Sequence, residues 1–145
     1  MPDTAICSAP LTSIERWAFE VLGGQNFKRR GPFAERHGSW ELTFVADFGD
    51  GLYKFIDVTL SEDSPETHIC EIWITAESPD RFGRKLERQF KVKNDEFESE
   101  DFERRLKKQL DTAVKTVREL QPDRKKKDFL RSKGNSASSA GVGQG

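Results

Sequence analysis

Apolar and polar residues alternate along the middle of this chain. From Ser39 to Thr75 the sequence SWELTFVADFGDGLYKFIDVTLSEDSPETHICEIWIT breaks into three alternating runs separated by two turn signals. In the first run Trp40, Leu42, Phe44, Ala46 and Phe48 share one parity, and Gly49-Asp50-Gly51 provides a hairpin turn. Ile56, Val58 and Leu60 share a parity in the second, before Ser61-Glu62-Asp63-Ser64-Pro65. Cys70, Ile72 and Ile74 do so in the third, which Glu77-Ser78-Pro79-Asp80 ends. Period-two patterning of this kind predicts an antiparallel meander. A fourth run follows, with Leu86, Arg88, Phe90 and Val92 set against Lys85, Glu87, Gln89, Lys91 and Lys93, and reads as a strand with one charged face.

Helical periodicity flanks the meander. Thr12-Ser13-Ile14-Glu15 has the form of a capping box, Ile14, Trp17, Ala18, Val21 and Leu22 recur at helical spacing, and Gly23-Gly24 supplies a stop. Near the other end Ser99 is the expected N-cap of a longer helix. Glu100, Asp101 and Glu103 complement its positive end, and Phe102, Leu106, Leu110, Ala113, Val114 and Val117 form its apolar stripe up to Gln121-Pro122. Gln25 to Arg30 reads as a short edge strand with Phe27 inward, while 33–38 is ambiguous between loop and strand. The expected fold is α+β: a four- to five-stranded antiparallel meander sheet with a short N-terminal and a long C-terminal helix. The expected division is a flexible leader at 1–10, one domain at 11–121, and a disordered tail at 122–145 that is first basic and then Gly/Ser-rich.

Charge sharpens this picture. The net charge of −1 is made of unlike parts: residues 1–121 carry eighteen basic against twenty-three acidic groups, whereas 122–145 carry six against two. No early Lys or Arg precedes an apolar run as in a signal peptide, and no stretch reaches the roughly 20 apolar residues of a membrane helix. Two cysteines, one of them inside an apparent core strand, make no disulfide framework, so a cytoplasmic location is expected.

No reaction is signalled. His68 and Cys70 lie on one strand parity and, with Cys7 and His37, match the number of ligands in a zinc site but none of its spacings. Cys70 reads as a core residue beside an edge histidine. There is no nucleophile elbow, and Gly23-Gly24 follows a helix where a phosphate loop follows a strand. We expect no enzyme activity, no metal and no cofactor.

Binding surfaces are better represented. One parity of the meander belongs under the C-terminal helix. The other mixes Val45, Tyr53, Phe55, Ile69 and Trp73 with Asp57 and Glu71, an aromatic patch where a solvated face should be polar. Partial cover by the helix containing Trp17 is the expectation for that face. Asp57, within the apolar Phe55-Ile56-Asp57-Val58, needs an arginine or backbone partner if covered. The expected function is a non-catalytic protein-binding module, chaperone-, adaptor- or immunity-like, with Tyr53, Phe55, Asp57, Ile69, Glu71 and Trp73 as contact residues. An acidic surface of Asp57, Glu71, Asp95, Glu98 and Glu100 would suit a basic partner. The alternative is nucleic-acid binding through Lys28, Arg29, Arg30, Arg84, Lys85 and the tail residues Arg124, Lys125, Lys126 and Lys127, near Phe27, Phe82, Phe90 and Phe129. Its weakness is the acidic body, and the basic fourth strand is equally suited to discouraging edge pairing.

Overall fold

The computed structural model describes residues 2–31, 34–36 and 39–126. Expectations placed on His37, Lys127, Phe129 and the rest of the tail, and on the side chain of Cys7, lie outside the described residues. Helix α1 spans Pro2–Leu22, and a 3-10 turn at Gly23–Gln25 follows it. Strands β1 (Lys28–Arg29), β2 (Ala34–Arg36), β3 (Ser39–Asp47), β4 (Tyr53–Ser64), β5 (Thr67–Glu77) and β6 (Arg81–Lys93) come next. Helix α2 is Glu100–Glu119 and β7 is Arg124–Lys125. All neighbouring strands are antiparallel, in the order β1-β3-β4-β5-β6-β7, with β2 also paired to β3.

The α+β class holds, with seven strands rather than four or five. The additional ones are two or three residues long and take their pairing from the edges of β3 and β6. Helix α1 also starts earlier than expected. Thr12 and Glu15 lie inside it, ten or more residues past its first residue, although Pro10 has no N–H to give the Ile6 carbonyl. At the other end the basic stretch is drawn into the sheet as far as β7, and Lys126 donates its backbone N–H to the Asp80 carbonyl at 2.9 Å.

The hairpin between β3 and β4 forms where the glycines place it. Gly49, Asp50 and Gly51 all have positive φ, and Phe48 N–H reaches the Leu52 carbonyl at 2.8 Å. Helix α2 begins at Ser99, whose hydroxyl accepts the Phe102 N–H at 3.1 Å, and its whole predicted stripe is buried. At its far end the buried Lys54 donates from Nζ to the Arg118 carbonyl at 2.6 Å, a cation set on the negative end of the helix dipole. Burial lowers the pKa of that amine.

Both helices lie on the same side of the sheet. Ile14, Trp17, Ala18 and Leu22 of α1 join the α2 stripe and Leu42, Phe44, Ile56, Val58, Leu60, Cys70, Ile72 and Ile74 in one core. Arg29 stands opposite the core-facing Phe44 and ion-pairs there with Glu15 of α1. Trp17 meets Phe102 edge-on at 5.9 Å between ring centres. The Trp17 helix is therefore no cover for the other sheet face, and no described helix lies over it. Among the described residues no helix is long and apolar enough to cross a membrane.

One irregularity decides what that other face contains. In the β5–β6 register Ile72 faces Arg88 but Trp73 faces Leu86, so Glu87 is an extra residue in β6. A bulge of this kind reverses which side successive side chains take. Phe90 and Val92 are buried in the core, as the alternation predicts. Leu86, expected beside them, is turned to the outward face and is 38% exposed. Trp40, also expected in the core, is only half-buried.

Candidate functional site: the outward sheet face

Register alone brings the candidate residues together. Three transverse rows cross the outward face: Thr43–Asp57–Trp73–Leu86, then Lys28–Val45–Phe55–Thr75–Arg84, then Asp47–Tyr53–Glu77–Phe82–Arg124. Glu71 lies one row beyond Trp73, opposite Thr59 and Gln89, and Ile69 the row after that. All six residues proposed from sequence as protein contacts, Tyr53, Phe55, Asp57, Ile69, Glu71 and Trp73, share this face.

At its centre the side chains hold one another. Asp57 is only 5% exposed, and a carboxylate so placed must be paired. Its partner is Arg84, whose Nη1 donates to Asp57 Oδ2 at 3.2 Å and to Thr75 Oγ1 at 3.1 Å. The same guanidinium lies 4.6 Å from the Trp73 ring centre. Trp73 Nε1 donates to Glu71 Oε1 at 3.0 Å, and the other Glu71 oxygen accepts from Gln89 Nε2 at 2.7 Å. The indole is thus held at its face by a cation and at its edge by an anion. Arg84 reaches Asp57 because the bulge puts it on this side.

Stacking repeats across the face. Arg30 lies over Phe55 at 5.6 Å, its backbone N–H bonded to the Thr43 carbonyl at 2.8 Å, and Arg124 lies over Phe82 at 5.6 Å. Between Arg30 and Glu77 is a hollow of about 430 Å³ lined by Arg30, Val45, Tyr53, Phe55 and Glu77. Glu77 is paired with Lys126 Nζ at 2.7 Å.

No family model, curated protein or solved structure matches this chain.

Two sequence expectations are corrected by this geometry. The acidic surface is not assembled: Asp57 and Glu71 are engaged as described, while Glu98 accepts the Ser13 hydroxyl of α1 at 3.0 Å on the helix side. Asp95 lies in a 3-10 turn and Glu100 in the first turn of α2. The basic candidates are likewise divided. Lys28, Arg30, Arg84 and Arg124 belong to the outward face, but Arg29 is paired with Glu15 and Lys85 stands opposite the core-facing Ile74. Lys125 is exposed in β7. The role of Arg84 escaped the sequence, since nothing in the alternation of 84–92 marks Glu87 as the residue where the two sides exchange.

His68 is buried rather than at an edge. Its Nδ1 lies 2.8 Å from Asn94 Oδ1, and Phe97 meets the ring edge-on at 5.2 Å between centres. No group of three or more His, Cys, Asp or Glu able to hold a metal occurs among the described residues. Burial, and then the neighbouring Glu71 charge, push the Cys70 thiol up to about 12 from its ordinary 9.0. The folded thiol therefore keeps its proton where the unfolded one has lost it, so its contribution to stability falls as pH rises from about 9 through 12. Modification by iodoacetamide in a Cys7→Ser background checks this. Cys70 is expected to react only as the domain opens, at a rate that follows added urea, and fast labelling of the native protein would contradict its burial.

Proposed function

We propose that this chain is a non-catalytic protein-binding module that engages its partner through the outward face of the sheet. The observation that carries the reading is the placement of both helices on one side, which leaves Trp73, Phe55, Tyr53 and Leu86 together on the other. Aromatic and arginine side chains are the groups that dominate binding energy at protein interfaces, and here they are held in place before any partner arrives. Holding them reduces the entropy lost on association. The charges support the same reading against nucleic acid. Arg84 is answered by Asp57, Lys126 by Glu77 and Lys91 by Asp63, so these three cations have little excess charge to offer a phosphate backbone.

Site-specific photocrosslinking in cells tests the proposal. A benzophenone side chain placed at Thr75 or Tyr53 is expected to capture a discrete protein, whereas one at Lys115 on the exposed side of α2 is not. Trp73→Ala is expected to weaken that complex about tenfold, as for truncation of a single anchor residue, with the circular dichroism spectrum unchanged. Equal capture from both sides of the molecule would sink the assignment to this face.

A further inference from the structure

We propose that the hollow between Arg30, Tyr53 and Phe55 is the anchoring point of the outward face, and that it takes an apolar side chain of the partner polypeptide together with a carboxylate close to it in the partner's sequence. This rests on the reading of the face as a protein-binding surface and adds the chemistry of what is bound.

The walls decide half of it. Val45, Phe55 and Tyr53, the last 42% exposed, line an open hollow of about 430 Å³ and present mostly carbon. It has room for one large side chain, whose burial supplies the non-directional part of the affinity. Charge decides the rest. Among the described residues no carboxylate pairs with Lys28 or Arg30, whereas Arg84 is matched by Asp57 and Lys126 by Glu77. The one acid in the hollow's lining, Glu77, is therefore already neutralised. The local excess is positive and sits beside the apolar walls. Arg30 lies over the Phe55 ring, which leaves the N–H groups in the guanidinium plane available to a planar carboxylate. A nucleic-acid strand fits less well, because its phosphates would have to pass Asp47, which stands beside Tyr53 in the same row. A single carboxylate on a polypeptide avoids it.

A library of random linear peptides displayed on phage and selected on the full-length protein supplies the test. The selected peptides are expected to carry Phe, Leu, Ile or Trp within two residues of Asp or Glu. A synthetic copy of the best should lose at least tenfold in affinity when its acid becomes Lys, and similarly with Arg30→Glu protein. Combining the Lys-bearing peptide with Arg30→Glu should recover much of the loss, which a merely misfolded variant cannot do. Arg30→Lys should bind between the two. No selected peptides, or peptides without an acid preference, overturn the proposal. Binding that survives Arg30→Glu but is lost with Trp73→Ala overturns the anchor and leaves the face reading standing. Binding unaffected by either substitution overturns both. An oligo(dT) strand that binds wild type, competes with the peptide and is lost with Arg30→Glu gives the hollow to nucleic acid instead. The chain's own Asp128-Phe129-Leu130 has the proposed chemistry. If full-length Asp128→Lys/Phe129→Ala protein binds the peptide tenfold tighter, the occupant is that segment and not a partner.

Discussion

Replacing Phe102 by alanine is expected to lower the unfolding free energy by about 3–5 kcal/mol, the range for a fully buried aromatic. The ring is 1% exposed and is the meeting point of three parts of the core. Trp17 of α1 lies 5.9 Å away, Phe97 of the connecting turn 5.9 Å, and Phe90 of β6 6.5 Å, all edge-to-face. Truncation removes the buried area and three aromatic contacts at once, and those neighbours belong to different elements that cannot all collapse into the space. Urea unfolding followed by circular dichroism should show an earlier midpoint, and the melting temperature should fall on the order of 10–20 °C. Lys115→Ala, on the exposed side of the same helix, is the comparison and should stay within about 0.5 kcal/mol. A loss below about 1 kcal/mol for Phe102→Ala would mean that α2 is held by something other than this cluster.

The second large effect is expected at Gly83. A methyl group there would press into the Gln121 carbonyl oxygen, with the carbonyl carbon at 3.4 Å and Asp123 Oδ1 at 3.5 Å. The obstacle is backbone, so no side-chain rotation relieves it. Either β6 or the returning chain after α2 must shift. The second is less firmly held, by the Arg124–Phe82 pairing, the Arg81 Nη1 bond to the Asp123 carbonyl at 3.3 Å and the Lys126–Glu77 pair. Gly83→Ala is therefore expected to cost about 1–3 kcal/mol and to release the segment from Gln121 onward. Limited proteolysis should cut at Arg124 and Lys125 in the variant well before it does so in wild type. Equal cleavage rates would show that the segment does not depend on Gly83.

How far the fold was legible depended on where the instruction for each element lies. Helix α2 was readable because Ser99, the acids after it and the Phe102-to-Val117 stripe all act within one helix. Strands β4 and β5 were readable because Ile56, Val58, Leu60, Cys70, Ile72 and Ile74 repeat with period two over long runs. Strands β1, β2 and β7 carry too few residues for a pattern, and their pairing is set by a neighbour's edge. Thr12 and Glu15 have the spacing of a cap in any helix, at its start or within it. The grouping of Tyr53, Phe55, Ile69 and Trp73 followed from parity and was in view. The pairing of Asp57 with Arg84 and the stacking of Arg30 on Phe55 depend on contacts between strands far apart in sequence, and parity does not reach those.

The bulge at Glu87 makes β6 a strand with two phases. Even-numbered positions from Arg88 to Val92 are on the helix side, whereas the even-numbered Arg84 and Leu86 are on the outward side. A scan of polar substitutions along β6 should thus change its rhythm partway: depressed folding at Phe90 and Val92, then at Leu86 altered binding with folding retained. If the register of 88–93 ran on through Glu87 without a bulge, Glu87 would face Trp73, Leu86 would fall opposite Ile74 on the helix side and Arg84 would leave Asp57 and Trp73. A slip of one residue, rather than a change of chemistry, would erase the recognition surface.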